Sequence, residues 1–210
     1  MLDEQELLAT RIVPVVVLED ATDAGPLAEV LVAGGLPVAE VTFRTPAAAD
    51  AIRAMSAFPG MIVGAGTVVR PEQVDEAADA GATFIVSPGL STAVVRRARE
   101  RGLVVIPGVV TPTEIMAALD LGLTTLKFFP ANIFGGASAL KSLGAPFRGV
   151  RFIPTGGVSA TNLTEYLSLT NVVAVGGSWM VDPRLIREGD FAAIRGLAAD
   201  AVAAAASLQK

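Results

Sequence analysis

"TPTEIMAALDLGLTTLKFFP", residues 111–130, holds one complete unit of the pattern that decides the fold. Thr111, followed three residues later by Glu114, is a capping box and predicts the start of a helix. Gly122 predicts the left-handed end of that helix. The run "TLKFFP" at 125–130 is rich in β-branched and aromatic residues, which are typical of a strand. A helix, a glycine stop and a buried strand therefore follow one another directly.

The same unit recurs along the chain. Glycines that close helix-like stretches stand at 34/35, 60, 81, 102, 122 and 144, about 20 to 25 residues apart. Matching helix starts stand at Thr45-Pro46, Pro71 and Ser91. Eight short apolar runs lie between these signals, at 12–18, 38–43, 61–67, 84–88, 103–109, 125–130, 151–156 and 172–177. Strands that alternate with helices in this way predict an α/β protein, a single (β/α)8 TIM barrel domain over residues 1–210.

Two other architectures share part of this pattern. Leucine-rich repeats have a similar period, but their L-x-x-L-x-L-x-x-N motif is absent from the chain. A doubly wound parallel sheet has the same alternation of strands and helices, and eight compact units without a domain break favour the barrel over it. The stretch "GDFAAIRGLAADAVAAAASLQ" at 189–209 predicts a long final helix capped by Asp190.

Composition excludes several classes of site. Charged residues form 18% of the chain and the net charge is -5, so we expect no nucleic-acid partner. No apolar run approaches the roughly 18 residues that span a bilayer, so we expect a soluble, cytoplasmic protein without a membrane partner. The chain has no Cys and no His, which excludes thiolate and imidazole catalysis and metal sites built from Cys or His. If the protein is an enzyme, proton transfer falls to carboxylates, lysine, tyrosine, hydroxyls or water. The only tyrosine, Tyr166, stands in a predicted helix and is a weak catalytic candidate.

Two ionisable residues stand in the middle of the apolar runs, Glu40 in "VAEVTF" and Lys127 in "TLKFFP". Because side chains alternate along a strand, Glu40 and Arg44 share one face, and the apolar residues between them take the other. In a barrel whose apolar faces pack against helices, Glu40, Arg44 and Lys127 point to the interior near its C-terminal mouth. A purely structural ion pair between Glu40 and Lys127 stays open as the alternative.

The buried position of Lys127 leads to two further expectations. We expect water or a substrate group between Lys127 and Glu40, because a carboxylate in direct contact favours the ammonium form. We also expect Lys127→Met to leave the fold intact or more stable, since it deletes a buried charge.

Two glycine-rich segments follow the seventh and eighth predicted strands, "PTGGVSATN" at 154–162 and "GGSWM" at 176–180. Barrel enzymes often bind phosphate on these two loops, where backbone N–H groups face the anion. Neither segment contains Lys or Arg, so we predict that backbone amides, rather than a cation, hold a phosphate here. The predicted donors are the amides of Gly156, Gly157, Gly177 and Ser178.

Six motifs, in chain order, resemble those of the 2-keto-3-deoxy-6-phosphogluconate (KDPG) aldolase family: "GGLPVAEVTFRT", "IVGAGTV", "VSPGL", "LKFFPA", "PTGGVS" and "GGSWM". The resemblance runs over nearly the whole chain. It implies a class I aldolase on a (β/α)8 barrel, usually a homotrimer, that cleaves a phosphorylated keto acid to pyruvate and glyceraldehyde 3-phosphate. The wider family also cleaves 4-hydroxy-2-oxoglutarate, and neither a metal nor an organic cofactor takes part.

The resemblance also implies a role for each matching residue. Lys127 would form the Schiff base with the substrate keto group, and Glu40 would be the acid/base residue. Arg44 and Thr67 would bind the carboxylate of the pyruvyl half. The other implied contacts are pocket lining by Pro88 and Phe129, substrate contact by Thr155, and phosphate binding by Gly156, Gly157, Gly176, Gly177 and Ser178.

The sequence departs from the family in one place and leaves rival functions open. Asn132-Ile133-Phe134 stands after "FFPA", where family members carry an acidic residue followed by small or polar ones, so the aldehyde range and stereochemistry stay open. One rival is a related keto-acid aldolase with a different aldehyde. A second is a phosphosugar isomerase or epimerase in which Lys127 acts only through its charge. A third is a binder of small anions without catalytic activity.

Overall fold

The structure is a computed structural model that describes residues 2–208. Its strands are β1 (Ile12–Val16), β2 (Val38–Thr42), β3 (Ile62–Gly66), β4 (Phe84–Val86), β5 (Val104–Ile106), β6 (Gly108–Val109), β7 (Thr125–Phe128), β8 (Arg151–Pro154) and β9 (Val175–Gly177). Its α-helices are α1 (Glu4–Leu7), α2 (Ala24–Ala33), α3 (Ala48–Ser56), α4 (Pro71–Asp79), α5 (Thr92–Glu100), α6 (Pro112–Asp120), α7 (Gly136–Leu143), α8 (Leu163–Leu167), α9 (Pro183–Arg187) and α10 (Phe191–Ala206).

The strands lie where the sequence predicts them and pair in parallel. All eight apolar runs contain a strand. One sheet has the order β5-β4-β3-β2-β1-β9, and a second has the order β6-β7-β8. The paired strands of both sheets are parallel, from β1 with β2 to β7 with β8. The prediction of an α/β fold with parallel strands alternating with helices is therefore confirmed.

The two sheets adjoin at both ends. The fifth predicted run is divided into β5 and β6 by Pro107, which has no N–H for a strand ladder. The carbonyl of Pro107 still accepts a hydrogen bond from the backbone N–H of Lys127, at 2.9 Å. At the other end, isolated bridges link Thr155 to Gly176 and Phe152 to Val172. The division at Pro107 explains why eight predicted runs give nine strand segments.

Most of the predicted helix signals form. In α6 the side chain of Glu114 accepts from the N–H of Thr111 at 2.8 Å, and the Thr111 hydroxyl accepts from the N–H of Glu114 at 3.3 Å. Asp190 caps α10 by accepting from the N–H of Ala193 at 3.0 Å. Gly144 differs from the prediction, because its φ of -61° is right-handed. The chain continues from α7 into a further turn there, so no left-handed residue is needed.

The short helix α1 was not predicted, and it covers the N-terminal end of the strands. Glu4 accepts hydrogen bonds from the Thr125 hydroxyl at 2.6 Å and from Arg151 at 2.5 Å. Leu7, which is 1% exposed, packs into the interior close to Lys127 and Glu40. No helix in the described part of the chain combines the length and apolar character needed to cross a membrane.

Candidate active site

Lys127 and Glu40 meet in the interior. Lys127 Nζ donates a hydrogen bond to Glu40 Oε1 at 3.1 Å, and the two side chains are 6% and 4% exposed. The ammonium also lies 5.1 Å from the ring centroid of Phe129, within the range of a cation–π contact. The contact between the two charges is direct, so the expectation of an intervening group is wrong.

Strand alternation and register place this pair. Glu40 lies opposite Val15 of β1 and Gly64 of β3, while its neighbours along β2 point to the helices. A small enclosed cavity of about 10 Å³ touches both charged side chains. Its other walls are mostly apolar side chains, among them Phe84 and Ile106. In such a low-dielectric environment the attraction between the two charges is strong.

Gly66, the last residue of β3, packs directly against the side chain of Glu40. A Cβ atom at position 66 would overlap Glu40 Oε1 and stand 2.6 Å from Glu40 Cγ. The carboxylate therefore occupies the space that any larger residue would fill. Sequence reasoning missed this role, although a glycine inside a strand is a known sign of close approach.

Arg44 and Thr67 meet at the rim. Arg44 follows the end of β2 and is exposed, and its Nε donates to Thr67 Oγ1 at 3.3 Å. Thr67 follows β3 and has a φ of 57°, a left-handed conformation that is rare for a β-branched residue. The structure thus brings together the two residues to which the resemblance gives the substrate carboxylate.

An open cavity of about 400 Å³ lies at the C-terminal ends of the strands. It is lined by Val15, Val17, Arg44, Phe129, Thr155, Gly156, Gly157, Val158, Gly177, Ser178 and Pro183. Thr155 also lines the small enclosed cavity beside Lys127, so it lies between the buried pair and the mouth. Four lining residues had not been assigned to the site, because apolar residues and proline carry no chemical signature in a sequence: Val15, Val17, Val158 and Pro183.

The two glycine loops present free backbone groups to this cavity. Among the described residues, the N–H groups of Gly157 and Ser178 donate no hydrogen bond to another backbone group. Gly176 is placed differently, since it is buried and does not line the cavity. A Cβ at Gly176 would overlap the hydroxyl of Thr155 and lie 3.1 Å from its Cγ2. Gly176 therefore packs against Thr155. Its predicted role in phosphate binding is not supported by a position in the cavity wall.

Two further predicted features lie around the mouth. Pro88 lines a separate cavity of about 260 Å³ together with Val68 and Val69 of the loop after β3, so the structure does not bring it into the cavity with Phe129. Asn132 is exposed, and its side chain packs against the Cα of Gly157. Ile133 and Phe134 are 73% and 47% exposed, which leaves two large apolar side chains on the mouth loop.

Tyr166, the only tyrosine of the chain, lies in α8 and lines neither of the two cavities described above. Burial raises the pKa of its hydroxyl, and the charge of Glu165 raises it further. A phenol with a raised pKa stays protonated near neutrality, so Tyr166 is not suited to act as a base. The prediction that it is a weak catalytic candidate agrees with this placement.

Comparisons with known proteins identify a family for this chain. The family model of KDPG and KHG aldolase matches residues 4–197. The KHG/KDPG aldolase of Escherichia coli (strain K12) is 46% identical over 200 residues, which cover 95% of this chain and 94% of that protein.

Two solved structures are similar over nearly their whole length. The 2-keto-3-deoxy-6-phosphogluconate aldolase of Zymomonas mobilis ZM4, with 3-phosphoglycerate, has a TM-score of 0.88 and 44% identity, covering 96% of this chain and 97% of that one. The KDPG aldolase of Legionella pneumophila, with pyruvate captured as a covalent carbinolamine, has a TM-score of 0.89 and 40% identity, covering 92% and 95%. With the parallel α/β fold and the buried Lys127–Glu40 pair, these similarities show that the chain belongs to the KDPG and KHG aldolase family.

Proposed function

We propose that this protein is a class I aldolase that cleaves 2-keto-3-deoxy-6-phosphogluconate to pyruvate and glyceraldehyde 3-phosphate. The observation that carries the proposal is the buried 3.1 Å contact of Lys127 Nζ with Glu40 Oε1, next to a cavity rimmed by Arg44 and free backbone amides. Membership of the family supports it, as does the relative in which pyruvate was captured as a covalent carbinolamine.

Lys127 starts the reaction as a nucleophile. Its ammonium group passes a proton to Glu40 along their hydrogen bond, and the free amine adds to the keto carbon of the substrate. Glu40 then gives that proton to the hydroxyl of the carbinolamine, which leaves as water. The product is a protonated imine, with Glu40 again a carboxylate.

Glu40 next acts as the base for cleavage. It accepts the proton of the hydroxyl on the carbon that becomes the aldehyde, and the electrons of the carbon–carbon bond move into the imine. The aldehyde leaves and an enamine remains on Lys127. Glu40 returns the proton to the enamine carbon, which becomes the methyl group of pyruvate, and water hydrolyses the imine to free the lysine.

The other residues hold the two ends of the substrate. Arg44 and Thr67, in contact at the rim, bind the carboxylate of the pyruvyl half. Thr155 and Phe129 face the chain of the substrate from positions on the cavity wall. Pro88 would complete the pocket beside the loop that carries Thr67.

The phosphate lies on the two glycine loops. The N–H groups of Gly157 and Ser178 donate to no other backbone group in the described structure, which suits an amide site that receives an anion, and Gly156 lies beside them in the cavity wall. Gly177 also lines the cavity. Gly176 lies outside the lining and packs against the side chain of Thr155. Arg44 is the one charged residue in the cavity lining and is assigned to the carboxylate.

Borohydride reduction in the presence of pyruvate, followed by intact mass and peptide mapping, tests the proposal. We expect one pyruvyl-derived group on Lys127. The chain has only three lysines, Lys127, Lys141 and Lys210, so the position of the adduct is unambiguous. Lys141→Met should label normally and Lys127→Met should not. An active enzyme without an adduct would favour the isomerase or epimerase, and binding without pyruvate release would favour the anion binder.

Four further properties belong to the same proposal: a closed barrel, a trimeric assembly, a cytoplasmic location and a second substrate. The strands form one closed eight-stranded barrel domain, supported by the junction at Pro107 and the Thr155–Gly176 bridge between the two sheets. The protein is a homotrimer in the cytoplasm, on the ground of the family resemblance, and sedimentation at several concentrations tests the trimer. Cleavage of 4-hydroxy-2-oxoglutarate is a second activity, supported by the KHG/KDPG name of the Escherichia coli relative.

A further inference from the structure

The loop after β3 contains Thr67 in a left-handed backbone conformation and is held by hydrogen bonds to a buried glutamine side chain. Thr67 has a φ of 57°, and apart from Arg11 it is the one non-glycine residue in the described chain with a positive φ. A β-branched side chain is strained in this region, so the surrounding structure must hold it there. Thr67 also contacts Arg44 at the rim, which places the strain at the mouth of the cavity.

Gln73 supports this loop from within. Gln73 lies in the first turn of α4 and is 8% exposed. Its side-chain oxygen accepts two hydrogen bonds, from the N–H of Val69 at 2.9 Å and from the N–H of Arg70 at 3.2 Å. On the other side, Val68 N–H donates to the carbonyl of Val86 at 3.2 Å. The three residues that follow Thr67 are therefore fixed.

An ordinary helix cap is the simpler explanation, and the chain contains a matched example of it. In α6, Glu114 accepts from the N–H of Val110 and of Thr111, both at 2.8 Å, in the same arrangement. No left-handed non-glycine residue precedes that helix. The two caps make the same hydrogen bonds, but only the cap of α4 follows a left-handed residue, Thr67. A variant of Glu114 is therefore a control for the loss of a helix cap alone.

We propose that Gln73 is a positioning residue that holds Thr67 in its left-handed conformation, with its hydroxyl directed to Arg44 and to the carboxylate of a keto-acid substrate. The proposal rests on the proposed function for the identity of that substrate. Without the Gln73 acceptor, Thr67 would relax toward ordinary backbone angles and its hydroxyl would leave the rim. The loss would affect binding of the pyruvyl half and leave the Lys127 chemistry in place.

Kinetics with pyruvate test the positioning role. The rate of borohydride trapping is measured against pyruvate concentration for Gln73→Met, which keeps the length of the side chain and removes the acceptor. We expect the half-saturating concentration to rise about tenfold and the maximal rate to change little, as for an interaction lost equally from ground and transition states. Gln73→Glu restores the acceptor and should return both values close to wild type. Glu114→Met should leave the half-saturating concentration unchanged.

Unfolding gives a second readout that needs no activity. Relaxation of Thr67 would release backbone strain and offset part of the stability that Gln73→Met removes. Glycine adopts a positive φ without strain and has none to release, so the loss of urea stability caused by Gln73→Met should be larger in a Thr67→Gly background than in wild type. Should Gln73→Met fail to fold, Gln73→Asn withdraws the same oxygen by one methylene and takes its place.

The two readouts separate the possible failures. A wild-type protein that gives no pyruvate adduct refutes the proposed function, and the unfolding cycle still decides the role of Gln73. Equal stability losses in both backgrounds, or an equal rise in half-saturation for Glu114→Met, would show that Gln73 only caps its helix.

Discussion

Replacing Lys127 by methionine is expected to destabilise the protein strongly, because it leaves Glu40 buried without its partner. The two side chains are 6% and 4% exposed, and their charged atoms are 3.1 Å apart. This contact reverses the expectation from the sequence, in which a water or a substrate group separated the two charges and Lys127→Met was expected to leave the fold intact or more stable. The matched variant is Lys127→Met combined with Glu40→Leu, which removes both charges and keeps an apolar interior.

The size of the effect follows from the geometry. At 3.1 Å and an effective dielectric constant of about 20, two unit charges attract by about 5 kcal/mol. Removing one partner of a buried pair costs about 3–5 kcal/mol, because the remaining charge loses its compensation. Replacing both partners is often neutral or stabilising, so the double variant should lie within about 1 kcal/mol of wild type or above it.

Urea unfolding followed by circular dichroism, at one fixed protein concentration, measures both variants. For a chain of 210 residues a loss of about 3–5 kcal/mol corresponds to a fall in Tm of about 6–20 °C. Both variants should be inactive, so only their stabilities distinguish them. A Lys127→Met protein as stable as wild type, or a double variant as unstable as the single one, would refute the argument that the pair is mutually dependent.

The remaining predictions concern single positions. Glu40→Gln should still form the adduct with pyruvate but exchange its methyl protons about 10²-fold more slowly, and wild-type exchange would move the acid/base role elsewhere. Gly66→Ala should displace the Glu40 carboxylate and slow the same exchange, whereas Gly25→Ala, which has open space around it, should not. Gly157→Val and Ser178→Ala, once shown to be folded, should lose rate selectively with the phosphorylated substrate, and equal losses with both substrates would make these loops structural.

The features that the sequence predicted well are those with a local cause. The strand at 125–130 could be placed because its residues favour β-structure and a glycine stop precedes it. The inward direction of Glu40 and Lys127 followed from the alternation of side chains along a strand, which needs no knowledge of distant contacts. Helix α1 was missed because its single turn is too short to show a period.

Features that depend on contacts between distant segments could not be predicted. The direct Lys127–Glu40 contact depends on how two strands separated by 87 positions in sequence are spaced across the interior. The left-handed backbone at Thr67 goes against the preference of a β-branched residue, so local propensity predicts the opposite conformation. Such disagreements between local preference and observed structure are expected at functional sites.

Gly66 and Gly176 show why the role of a residue can be invisible until its neighbour is known. Both are strand residues, where glycine weakens the strand and has no side chain to pack. Each lies beneath a polar side chain of the candidate site, Gly66 under Glu40 and Gly176 under Thr155. In the sequence, the glycine pair at 176–177 resembles a phosphate-binding loop. In the structure the two glycines differ, because Gly176 packs against Thr155 and Gly177 lines the cavity. The absence of a Cβ atom at these two positions therefore leaves room for the side chains of Glu40 and Thr155. The need for glycine comes from the neighbouring segment and not from the local sequence.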